Sequence, residues 1–111
     1  MAKELKFVML LDCYGDLITP HQRNIMELYY CEDLSLAEIG DIMEITRQGV
    51  LSVLKRTENI LTNYEEKLCF AQRLNKMKMC FDRLSDISEK ISDEELKKDI
   101  KNEINLGLLM L

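Results

Sequence analysis

Apolar residues recur every three or four positions along nearly the whole chain, the spacing of one face of an α-helix. The segmentation then follows from helix start and stop signals. Residues 3–14 place Leu5, Val8, Met9 and Asp12 at helical spacing, and Gly15 supplies a residue suited to a left-handed C-terminal turn. Thr19, Pro20 and Gln22 form a capping box with proline at the first helical position, where its missing N–H costs nothing. A second helix is predicted over 20–31, burying Ile25, Leu28 and Tyr29 and leaving His21 in solvent. Ser35 and Glu38 make another Ser-x-x-Glu box, and Thr46 is an N-cap candidate only eleven residues later. Two helix starts this close predict a short helix, a three-residue turn over Glu44–Thr46 and a further helix from Arg47, which is helix-turn-helix spacing.

From Val50 the stripe continues as Leu54, Thr57, Leu61, Tyr64, Leu68 and Ala71, alternating steps of four and three. This is a heptad seam, able to serve as core or as a surface for a second copy. Phe70, Leu74, Met77, Phe81, Leu84 and Ile91 then mark a stripe displaced by one residue, which points to a stutter, bend or break near residues 69–73. With no glycine or proline between Gly49 and Gly107, a long helix over 47–90 is the expectation. Unbroken, it would run roughly 65 Å at about 1.5 Å per residue, more than so small a globule covers alone, so a homodimer is expected. Ser92 and Glu95 give a last capping box, and Leu96, Ile100, Ile104 and Leu108 stripe a final helix over 93–108. The closing "GLLML" is apolar and should dock on protein.

Composition narrows the class. A length of 111 residues suits a single domain, and 47% hydrophobic with 32% charged residues, one proline and no tryptophan fits an all-α protein. Glu4 and Asp12 bracket the apolar run near the N-terminus, which reads as helix and not as a signal peptide. No apolar stretch approaches the roughly 20 residues of a membrane span, so a soluble, cytoplasmic chain is expected. Cys13, Cys31, Cys69 and Cys80 form no C-x-x-C pair and His21 is the sole histidine, a spacing that argues against zinc and for reduced thiols. One histidine, no glycine-rich phosphate loop and no serine elbow leave no catalytic constellation, and neither enzyme activity nor cofactor is expected.

In a helix-turn-helix a small residue must sit where the helices cross, and apolar residues must fix the angle from both sides. Gly40 is the small residue, and Ile39, Met43, Ile45, Val50 and Val53 fall where the wedge requires them. With these in place, "LTPHQRNIMELYYCEDLSLAEIGDIMEITRQGVLSVLKRTENIL" resembles region 4 of the sigma-70 family, within the winged-helix-like DNA-binding class. It is still more similar to the small YlxM-like proteins of Gram-positive bacteria, whose likeness extends through "TRQGVLSVLKRTENILTNYEEKL" and along nearly the whole chain, most specifically over 17–68. That resemblance implies a helix-turn-helix region over about 17–57, no enzyme activity, and a regulatory role tied by gene neighbourhood to the signal recognition particle pathway.

Carried over by motif position, Arg47 and Gln48 would meet base edges in duplex DNA, with Ser52, Lys55 and Arg56 on later turns. Arg and Gln can make bidentate contacts to guanine and adenine, and Ser52, Lys55 and Arg56 can hold phosphates. Thr46–Thr57 carries three positive charges and no negative one. Against this stand a net charge of −5 and the acids Glu38, Asp41 and Glu44 on the helix that crosses the DNA backbone in the usual docking. Glu44 stands where the family pattern often has glycine, so either a non-glycine residue adopts positive φ there or the turn differs. Gly49 sits inside the recognition helix at roughly 1 kcal/mol relative to alanine, and Leu51 lies at the edge of its outer face. The competing expectation keeps the scaffold but gives it a protein or RNA partner among signal recognition particle components. Its contact points would be Leu51 and the basic residues Arg73, Lys76 and Arg83, with Lys67 and Lys78 nearby. Ser85–Glu103, with seven acidic and four basic side chains, should avoid nucleic acid. The seam Leu54, Leu61, Tyr64 and Leu68 is read as core or dimer surface.

Overall fold

The computed structural model describes residues 3–111 and is all-α, with no strand among the described residues. The helices are α1 (Lys6–Tyr14), α2 (Pro20–Tyr30), α3 (Leu36–Met43), α4 (Arg47–Leu68), α5 (Phe70–Ser88) and α6 (Glu94–Leu109), with a 3₁₀ turn at Gly15–Leu17. They fall into two compact units, one reaching Ala71 and the other comprising Gln72–Leu111.

In the first unit the caps at Thr19 and Ser35 form as their sequences predict. Thr19 Oγ1 accepts from the Gln22 N–H at 3.1 Å and Gln22 Oε1 accepts from the Thr19 N–H at 3.0 Å. Ser35 and Glu38 repeat the exchange at 3.1 and 3.0 Å. Each box satisfies two donors that a helix start would otherwise leave orphaned. The core is made by Phe7, Leu10, Leu11 and Tyr14 of α1, Ile25 and Met26 of α2, Ile39 of α3 and Val50, Leu54 and Leu61 of α4.

Two predicted faces are corrected by this core. In α1 the buried positions are Phe7, Leu10, Leu11 and Tyr14, while Leu5 is 80% exposed and Met9 is also exposed. That helix is apolar nearly all round, so spacing alone does not choose a face, and the bulkier aromatic side goes inward. In α2 the stripe centres on Ile25 and Met26, with Leu28 and Tyr29 only half-buried. Gly15 has φ −56°, so it makes no left-handed turn.

The expected long helix is two helices. Cys69 adopts the left-handed conformation at φ 56°, ψ 25°, and its N–H donates to the Glu65 carbonyl at 2.8 Å. The start of α5 is then capped from a distance in sequence. The Phe70 N–H donates to Tyr14 Oη at 3.1 Å and the Ala71 N–H to Glu65 Oε1 at 3.0 Å. The Tyr14 hydroxyl itself donates to Glu65 Oε1 at 2.6 Å. Burial and the neighbouring Glu65 carboxylate push the Tyr14 hydroxyl above its ordinary range. A second such tie joins α2 to α4, where the Tyr30 hydroxyl donates to Glu58 at 2.6 Å.

In the second unit α6 is capped by Asp93, whose Oδ1 accepts from the Glu95 and Leu96 N–H groups at 3.1 Å each. The predicted cap was Ser92. Both residues are good caps one position apart, and the aspartate reaches two donors where the serine would reach one. Gly107 faces the Phe81 ring so closely that an added Cβ would lie 2.5 Å from the ring edge, so a larger residue there would have to displace that ring. Glu89 forms ion pairs with Lys97 at 3.1 Å and with Lys101, which hold its carboxyl below the usual range, Lys101 most strongly.

Candidate nucleic-acid interface

The helix-turn-helix is built by α3, the turn and the start of α4. At the crossing, a Cβ on Gly40 would lie 2.8 Å from the Ile45 carbonyl oxygen, a backbone atom that cannot swing aside. Glycine is therefore obligatory for this turn. Glu44 takes the left-handed conformation at φ 59°, ψ 41° and donates its N–H to the Gly40 carbonyl, and the Ile45 N–H reaches the same oxygen at 3.0 Å. A non-glycine residue thus stores strain in the turn. Ile39 and Val50 are fully buried, and Met43, Ile45 and Val53 pack half-buried around them. All five wedge positions stand at the junction.

Thr46 begins α4 with its Oγ1 accepting from the Gly49 N–H at 2.9 Å. A Cβ on Gly49 would sit 3.2 Å from that same oxygen, so the glycine inside α4 leaves room for the cap. Over the following three turns Arg47, Gln48, Ser52, Lys55 and Arg56 are all exposed. None of the five makes a side-chain hydrogen bond or ion pair with the described residues. Leu51, expected at the edge of this face, is half-buried.

On the opposite side of α4, Leu54 and Leu61 are core residues, Tyr64 packs half-buried against the core, and Leu68 is 42% exposed. Two members of the predicted seam are thus enclosed by their own chain. Thr57 is also fully buried, and its Oγ1 has no hydrogen-bond partner among the described residues.

Charge is divided unevenly. Residues up to 71 hold seven basic and twelve acidic side chains, whereas Gln72–Leu111 holds eight of each. The whole net charge of −5 therefore belongs to the unit that contains the motif. Near the motif, Glu38, Asp41 and Glu44 are exposed. The Ser35 backbone N–H and hydroxyl of the capping box hold the Glu38 carboxyl below the ordinary carboxylate range, so it stays ionised. The basic residues Arg73, Lys76, Lys78 and Arg83 are exposed on α5.

Among the described residues no three His, Cys, Asp or Glu side chains are grouped to hold a metal, and no helix is long and apolar enough to cross a membrane. All four cysteines are free thiols, and burial pushes those of Cys13 and Cys31 above the ordinary range. Sequence reasoning missed the Tyr14–Glu65 pair that seals the α4–α5 junction. The partners lie 51 residues apart, and no local pattern announces them.

Residues 1–105 match the UPF0122 family model, described as "Putative helix-turn-helix protein, YlxM / p13 like". A UPF0122 protein of Exiguobacterium sibiricum is 45% identical over 78 residues, covering 70% of this chain and 74% of the relative. One from Clostridium perfringens is 39% identical over 106 residues, 94% of this chain and 95% of that one. The UPF0122 protein YlxM of Bacillus subtilis is 37% identical over 95 residues, 86% of each chain. The wedge around Gly40, the all-helical architecture and a match over nearly the full length agree, and the chain belongs to the UPF0122 family of YlxM-like helix-turn-helix proteins.

Proposed function

We propose that the protein binds duplex DNA through α4 and acts as a cytoplasmic regulator, with no catalytic step of its own. The observation that carries this reading is the set Arg47, Gln48, Ser52, Lys55 and Arg56. All five are exposed and unengaged on the first turns of a helix that the motif presents outward. Arg47 and Gln48 lie at the helix start, where the partial positive charge of the N-terminus adds to their attraction for DNA. They read base edges, while Ser52, Lys55 and Arg56 fix the register on phosphates. The link to the signal recognition particle pathway rests on the likeness to YlxM proteins.

Fluorescence anisotropy of a labelled duplex from the promoter region, over a salt series, tests this reading. Binding falls steeply with salt, and Arg47→Ala/Lys55→Ala weakens it about tenfold or more while flattening the salt slope by about 1, the share of Lys55. Absence of duplex binding at low salt overturns it.

One observation favours a second reading. The net charge of −5 sits wholly in the unit carrying the motif, with Glu38, Asp41 and Glu44 exposed beside the turn. Such a surface repels a duplex except along α4 itself, and suits a protein or RNA component of the targeting machinery. Binding to such a partner that persists at moderate salt, without duplex binding, is its signature.

A further inference from the structure

The unit Gln72–Leu111 does not close a core of its own. Only Ile104 and Ser88 among its described residues are buried. A chain segment of this size ordinarily needs a disulfide, a metal or another copy to be stable. On one side of the hairpin lies an open apolar groove of about 580 Å³, lined by Phe81 and Leu84 of α5 and by Ile100, Ile104 and Met110 of α6. Beside Leu84 on α5, the positions Met77, Cys80, Leu84 and Ile87 step by three, four and three, and all are exposed. This is the a/d repeat of a helix that packs against another helix.

The margins of this surface carry opposite charges. Asp99 and Glu103 lie along the α6 side of the groove. On α5, helical spacing sets Lys76 and Arg83 just outside the exposed stripe, and Arg73, four residues before Met77, continues the stripe at its start. Neither group forms an ion pair among the described residues. The unit as a whole is neutral, with eight basic and eight acidic side chains.

We propose that this face pairs with the same face of a second copy, so that two hairpins form a four-helix bundle. About a two-fold axis, α5 of each copy lies against α6 of the other. The basic margin of one then meets the acidic margin of its partner, and the arrangement occurs twice. A self-complementary patch on a neutral unit is what an isologous contact requires. This dimer uses the groove and not the seam through Leu54 and Leu61, which the chain's own core encloses. It does not depend on whether α4 meets DNA.

Sedimentation velocity of the full chain over a concentration series tests the proposal. The chain shows a reversible monomer–dimer equilibrium. Ile87→Glu, at a position 57% exposed in the single chain, weakens it about tenfold or more. Asp99→Lys/Glu103→Lys also weakens it, and adding Arg73→Glu/Lys76→Glu/Arg83→Glu restores it, a rescue that misfolding cannot produce. Circular dichroism of each variant checks that helix content is kept. A monomer at every concentration overturns the proposal, including one that associates only with another protein or with lipid vesicles. So does a dimer indifferent to Ile87→Glu or to the charge reversals.

Discussion

Up to residue 71 four helices turn their apolar stripes toward one another and enclose them, while beyond it two helices leave half of theirs in solvent. Both regions carry the same three-four spacing. The difference lies in how many sides of each stripe are covered. Leu61 of α4 is fully buried in the core that the first four helices share, whereas Leu84, on the α5 stripe, is 47% exposed. A periodic stripe shows which side of a helix seeks cover. The number of elements within reach decides whether the chain supplies that cover itself.

The largest expected effect comes from exchanging these two leucines. Leu61→Ala should destabilise the protein by about 2–5 kcal/mol, the range for emptying a fully buried site, whereas Leu84→Ala should cost less than ~1 kcal/mol in dilute protein. Urea unfolding of both variants, at a concentration where the chain is monomeric, measures the contrast. Equal losses would show that the two regions are enclosed alike.

Next in size is the helix crossing. Gly40→Ala places a methyl 2.8 Å from the Ile45 carbonyl and should cost about 1–3 kcal/mol by forcing α3 and α4 apart. It should also weaken any ligand held by Arg47. The reverse holds at Glu44, where φ is 59°. Glu44→Gly should raise stability by about 1 kcal/mol by relieving left-handed strain, read as a shift in thermal midpoint. A smaller gain is expected from Thr57→Val, which replaces an unpartnered buried hydroxyl by a methyl, about 0.5–1 kcal/mol in urea. The smallest effect concerns pH. The hydroxyls of Tyr14 and Tyr30 ionise at higher pH when folded than their ordinary value of 10.0. The unfolded chain therefore releases these protons first, and stability should decline as pH rises above about 10. Tyr14→Phe/Tyr30→Phe should flatten that decline.

Local chemistry was legible in the sequence and distant pairing was not. The caps at Thr19, Ser35 and Thr46 lie within three residues of their partners, so the pattern and the structure coincide. Gly40 was legible for the same reason, since the close approach it permits is to a residue five positions away. The break at Cys69 left only a phase shift in the stripe. No glycine or proline marks it, and the groups that stabilise it, Tyr14 and Glu65, come from two different helices. For the candidate interface, the exposure of Gln48, Ser52, Lys55 and Arg56 follows from their phase opposite Val50 and Leu54, and that of Arg47 from its place at the first position of α4. The division of charge required knowing where one unit ends and the next begins.

The contrast between an enclosed unit and an open one is tested most directly by hydrogen exchange of the full chain at low and high protein concentration. Amides of the last three turns of α6 should gain protection as concentration rises, while those around Leu54 and Leu61 in α4 stay unchanged. Protection of α6 that is already complete at low concentration, and independent of it, would contradict the account.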